Sequence, residues 1–131
     1  MTLLTEVLAG TAAPGVYEID DNTEPAVIGN LIAERGWQLF RLDGVGVSDK
    51  ATFLAAIAAA CDFPEWFGNN WDALADSLGD LSWAPAAGYV LLYEHHVGYE
   101  SSPEWSMVVS ILEETTQRWE RAGVPFFVLL R

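Results

Sequence analysis

The sequence predicts an α/β fold: a small layered domain with a mainly parallel sheet of about three strands flanked by helices. Three observations carry that prediction. From residue 37 the chain reads strand, helices, strand, helix, strand, an order that favours parallel strands joined by right-handed crossovers. Residues 88–94 (GYVLLYE) form a continuous apolar run, which suits a strand covered by helices on both faces. Residues 103–122 place Val108, Ile111, Leu112, Thr115 and Trp119 on one helical stripe, ahead of a last strand at 124–130. The pattern leaves two-layer and three-layer arrangements open. The main domain is expected to span 37–131, with 1–36 an N-terminal extension that packs a short strand and a helix on it.

The extension begins weakly. Leu3, Leu4, Val7 and Leu8 allow a short helix, and residues 10–15 (GTAAPG) break it. Residues 16–19 alternate as a short strand should. A polar turn follows, with Thr23 as candidate cap and Pro25 at the first position of a helix reaching residue 33 or 34. Its inward face would be Val27, Ile28, Leu31 and Ile32, and Gly36 would end it. Residues 37–42 read as a strand, and Asp43, Gly44 and Gly46 turn the chain. Ser48 reads as the N-cap of a helix over 49–61, with Phe53, Leu54, Ile57, Ala58 and Cys61 on one face. Leu81 and Trp83 suggest a short helical turn that packs back inward. Residues 95–102 read as an exposed loop, Ser102 as cap of a helix opening at Pro103, and Gly123 as its stop. Pro125, near the start of the last strand, loses little ladder bonding.

The 131-residue chain carries a formal charge of −13, with 19 Asp and Glu against 6 Lys and Arg. Such a chain repels nucleic acid and anionic membrane at a distance and attracts basic proteins. The charge is unevenly spread: residues 51–117 hold ten acidic residues and no Lys or Arg. Cys61 is the only cysteine, so no intrachain disulfide forms and a reducing compartment is expected. The opening residues lack the basic region and long apolar core of a signal peptide, and no apolar run approaches membrane-spanning length. A cytoplasmic location is therefore expected.

Residues 63–78 (FPEWFGNNWDALADSL) are the most informative stretch. Pro64 and Gly68 mark a loop, and Asn69 or Asn70 can cap the helix that follows. Trp71, Leu74 and Leu78 recur at helical spacing and should face inward, with Gly79 ending the helix. Asp72 and Asp76 are four apart and share one face; Asp80 would extend the row if the helix ran on. Asp72 gains from the positive helix N-terminus, whereas Asp76 has no Lys or Arg three or four residues away. An uncompensated acidic ridge beside aromatic residues suits a partner that brings positive charge, although a solvated face is the commoner fate of acidic residues.

The run Pro64-Glu65-Trp66-Phe67-Gly68, then Asn70, Asp72-Ala73-Leu74, Asp76 and Leu78, resembles the signature of the barstar family, intracellular inhibitors of secreted microbial ribonucleases. The resemblance covers 37–131, and it implies a barstar-like layered domain. It also implies that this helix plugs the active site of a basic small ribonuclease, its carboxylates standing in for substrate phosphate. Asp76 would be the central anchor and Asp72 its neighbour. Trp66 would press outward onto the enzyme while Phe67 turns inward. Gly68 and Asn69 would lend backbone contacts, Asn70 would be the structural cap, and Glu65 would sit at the rim or in solvent. Two positions depart from the family pattern. Ala75 stands where an aromatic lies between the aspartates, and Arg118 stands where the last helix carries an acidic contact.

The residue types for catalysis are present but not in a catalytic pattern. Asp72 with Asp76 could form an acid–base pair, and His95, His96 and Cys61 could suggest metal or nucleophile chemistry. Adjacent histidines on a strand point to opposite sides and make poor co-ligands. Cys61 falls on a predicted core face, and no phosphate loop, zinc spacing or nucleophile elbow is present. The sequence thus implies no catalytic residue, metal ligand or cofactor, no nucleic-acid or membrane partner, and a monomer when free. The alternatives kept beside the inhibitor are a non-inhibitory acidic module docking on another basic protein, and a homodimer through Trp66 or the extension.

Overall fold

A computed structural model describes residues 3–131. The elements run α1 (Leu3–Ala9), β1 (Gly15–Glu18), α2 (Pro25–Ala33), β2 (Trp37–Asp43), α3 (Lys50–Ala60), α4 (Trp71–Asp80), β3 (Gly88–Glu94), α5 (Val97–Glu100), α6 (Trp105–Arg121) and β4 (Phe126–Leu130). The strands form one sheet in the order β1-β4-β3-β2, and every neighbouring pair is parallel. The N-terminal segment supplies the fourth strand: Gly15 to Glu18 pair with Phe127 to Leu130.

The apolar runs have the reason expected of them. β3 and β4 are the central strands, and both are buried along essentially their whole length. Alternate residues serve two separate cores. On one face Phe40, Leu42, Tyr89, Leu91, Tyr93, Phe126, Val128 and Leu130 meet Phe53, Leu54 and Ile57 of α3, Leu74 and Leu78 of α4, and Val108 and Leu112 of α6. On the other face Val90, Leu92, Phe127 and Leu129 meet Leu4, Val7, Ile28 and Ile32 of α1 and α2. The arrangement is therefore three layers, and residues before 37 build one of them.

Several local expectations are corrected. Only Ile28 and Ile32 of α2 are buried, whereas Val27 and Leu31 are exposed. α2 rests on β2 through Gly29, whose added Cβ would meet Leu39 Cδ2 at 3.4 Å, and with Ile28 and Ile32 also facing the sheet Val27 and Leu31 are left outward. Thr23 does not cap: its N–H donates to Asp21 Oδ1 at 2.7 Å, and Glu24 at the cap position makes no side-chain bond. Asp49, not Ser48, caps α3, in a reciprocal box with Thr52. Helix α6 opens at Trp105 rather than Pro103, with Ser102 Oγ accepting from the Glu104 N–H at 3.2 Å. The expected exposed loop at 95–102 holds α5, and its His96 and Tyr99 are buried. Tyr99 packs against Phe53 and Trp105, with centroids at 5.5 and 6.0 Å, which draws the segment onto the core.

Candidate functional site

The chain leaves α3 through Asp62, whose φ of 53° turns it sharply. Three aromatic residues then anchor the loop. Phe63 packs on Phe67 at 4.9 Å and meets Trp83 edge-on at 5.8 Å, while Trp83 Nε1 donates to the Cys61 carbonyl at 3.0 Å. Phe67 N–H closes a turn onto Pro64 O at 3.0 Å. Phe67 is buried and Trp66 is 66% exposed, so the two adjacent rings divide as the sequence suggested. Trp66 is steadied only along its edge, 6.1 Å from Trp83.

Asn69 takes the left-handed backbone conformation (φ 52°), which Asn tolerates better than most residues. Asn70 is the cap: its Oδ1 accepts from Ala73 N–H at 2.8 Å, and its Nδ2 donates to Gly68 O at 3.3 Å. The capped helix then presents Asp72 and Asp76 outward, one turn apart, with Gly68, Asn69 and Trp66 exposed beside them. Leu74 and Leu78 hold the opposite face in the core. Among the described residues, neither aspartate has an ion-pair or hydrogen-bond partner. The structure thus brings Trp66, Gly68, Asn69, Asp72 and Asp76 onto one exposed loop and helix.

Gly79 does not end the helix. The chain continues to Asp80 and stops at Leu81 in the left-handed conformation (φ 48°). Gly79 serves close approach instead: a Cβ there would stand 2.7 Å from Arg118 Cζ. The guanidinium of α6 therefore lies against the backbone of α4, one turn from Asp76. Asp80 completes the acidic row, and its carboxylate accepts from Ser82 Oγ at 3.1 Å.

Sequence spacing missed the flanks of this site. Trp71 is only half-buried; it leans on Phe53 at 6.2 Å, and Lys50 Nζ stands 5.2 Å above its ring. A groove beside Asp72 is lined by Lys50, Asn70, Trp71, Ala75, Met107 and Ile111. Lys50 and Arg118 bound the chain's longest stretch without cations, so the linear sequence places them outside it, yet the fold returns each to an end of α4. No local pattern signals that, because both contacts cross between helices.

The groups weighed for catalysis do not converge here. Cys61 is fully buried, and burial pushes its thiol well above the ordinary range, which suppresses the thiolate. His95 is exposed with φ 57°, and His96 is buried between Tyr93 of β3 and Trp105 of α6.

Two comparisons with known proteins bear on the chain. No curated protein matches the sequence. A family model described as barstar (barnase inhibitor) matches residues 37–131, which include the loop, α4, the parallel strands β2, β3 and β4, and α6. With nearly three-quarters of its length matched and the signature helix exposed as a ridge, the chain belongs to the barstar family.

Proposed function

We propose that the protein inhibits a basic ribonuclease of the secreted microbial type, acting inside the producing cell by seating α4 and its preceding loop in the enzyme's active site. One observation carries the reading. Asp72 and Asp76 project together from a capped helix, exposed and unpaired, beside the exposed Trp66. Carboxylates held this way occupy an anion site without rearrangement, and their bonds to Arg or Lys strengthen as water leaves. The barstar family's role as barnase inhibitors supports the target class. Asp76 is the anchor, Asp72 its neighbour, and Trp66, Gly68 and Asn69 frame them.

The charge of −13 speeds encounter with a cationic enzyme and makes it salt-sensitive. The test is a titration of several small basic microbial ribonucleases at low and moderate salt. Stoichiometric loss of activity, weakened by salt, supports inhibition. A panel left fully active shifts the reading to a non-inhibitory acidic module; Ala75 and Arg118, which change the surface that would face a ribonuclease, bear on which ribonuclease is accepted rather than on whether one is.

A further inference from the structure

Away from the inhibitory ridge, three ligand-type side chains from distant parts of the chain converge. Glu18 ends β1, His96 follows β3, and Glu100 ends α5. One ligand atom from each lies within 4.8 Å of the other two. The parallel register explains the meeting: Glu18, Leu130 and Tyr93 form one row across β1, β4 and β3, and His96 comes three residues beyond Tyr93. Glu18 Oε1 and Glu100 Oε2 approach His96 Nε2 at 3.5 and 3.7 Å.

These separations are too long for good hydrogen bonds, which run to about 3.2 Å. They match a different geometry. Nitrogen and oxygen ligands at ordinary zinc distances, tetrahedrally arranged, are about 3.4 Å from one another. The imidazole is built into place: its side chain is only 7% exposed, Trp105 stacks on it at 5.9 Å, and Tyr93 stands edge-on at 6.1 Å. Among the described residues the imidazole makes no hydrogen bond: Nε2 has the two carboxylates only at ion-pair distance, and Nδ1, the other ring nitrogen, is buried without a partner. A nine-tenths buried histidine aims Nε2 between two carboxylates that do not quite reach it. A cation between them would engage Nε2 and both carboxylates.

We propose that Glu18, His96 and Glu100 form a site for one divalent transition-metal ion of the zinc type, completed by water. The imidazole ligand favours zinc, cobalt or nickel over magnesium and calcium, which prefer oxygen throughout. The ion would tie the end of β1 to α5 and so fasten the N-terminal strand at the edge of the sheet.

Both carboxylates are well exposed, 70% and 43% at their side chains, so Glu18→Gln and Glu100→Gln remove ligands without emptying the core. The full chain, stripped with chelator, is titrated with zinc chloride by calorimetry and melted with and without the metal. The site predicts one zinc per chain, a Tm that rises with zinc, at least about tenfold weaker binding in each variant, and an unchanged metal-free Tm. Cobalt(II) should give the intense visible bands of a low-coordinate nitrogen and oxygen site. Absence of zinc binding overturns the proposal. So does binding that survives in the double variant, which places the ion elsewhere on the acidic surface, or a pale cobalt spectrum of the hydrated ion.

Discussion

The Asp76→Ala substitution should move stability and inhibition in opposite directions. In the free protein Asp76 stands one turn from Asp72 and one turn from Asp80, all on one exposed row of α4. Each like-charge pair at that spacing costs about 0.2–0.5 kcal/mol, so relieving both returns about 0.4–1 kcal/mol. Alanine adds up to about 0.7 kcal/mol of helix propensity. With no ion pair to lose, the variant should be more stable by about 1 kcal/mol, or roughly 3–5 °C in Tm for a chain this size. Inhibition should suffer far more. Each hydrogen bond to a charged group contributes about 1.5–3 kcal/mol, and an anchoring carboxylate offers two oxygens. A loss of about 3 kcal/mol weakens Kd on the order of a hundredfold. Thermal melting and an inhibition titration on one preparation read both signs. A lowered Tm would show that Asp76 has a structural partner; undiminished potency would remove it from the interface.

Three further outcomes follow from the same geometry. Asn70→Ala deletes the side-chain acceptor for the Ala73 N–H and should cost about 1 kcal/mol in chemical denaturation, while Asn70→Asp should retain most of it. A chain of residues 37–131 alone loses the α1 and α2 layer and exposes Val90, Leu92, Phe127 and Leu129; it should self-associate in sedimentation or lose its cooperative melt, and a monomeric, cooperatively melting fragment would contradict that layer's role. Glu94 sets an acid limb: burial raises its carboxyl, but bonds from Arg41 and Arg131 outweigh that and hold it below the ordinary glutamate range. Its stabilisation is therefore complete above the ordinary range and is lost as pH falls through the lower folded value, so Glu94→Gln should flatten that part of a stability-versus-pH curve.

What the sequence disclosed and what it hid divide along a physical line. The central strands were legible because burial on both faces leaves continuous apolar runs, and 88–94 is that strand residue for residue. The site helix was legible because its loop, cap and acidic spacing are all local. Contacts between elements were not. Nothing near Gly79 in sequence says that Arg118 will lie against it, so the glycine read as a stop. Val27 and Leu31 looked inward because periodicity fixes a stripe's existence and not its rotation; in the fold Ile28 and Ile32 take the inner face. Residues 95–102 looked polar enough for an exposed loop, yet two of their rings join an aromatic cluster with Trp105, Tyr93 and the distant Phe53.

The two faces of α4 perform separate tasks, and that separation explains how the site tolerates its own charge. The ridge of Asp72, Asp76 and Asp80 repels itself along the helix, and the gains of Asp72 from the helix N-terminus and of Asp80 from Ser82 leave Asp76 uncompensated. The cost is met from beneath, where Leu74 and Leu78 are fully buried and Trp119 Nε1 donates to the Leu78 carbonyl at 2.8 Å. Met from below, the surface is free to vary. Ala75, Lys50 and Arg118 all touch the ridge without entering that core, so exchanging them should retune which basic partner is accepted and leave the melt nearly unchanged. Arg118→Ala tests this directly. Removing a cation one turn from Asp76 should quicken association with a basic enzyme at low salt, with the gain fading as salt rises. Slower association would mean that Arg118 itself contacts the partner, and that the partner brings an acidic group to meet it.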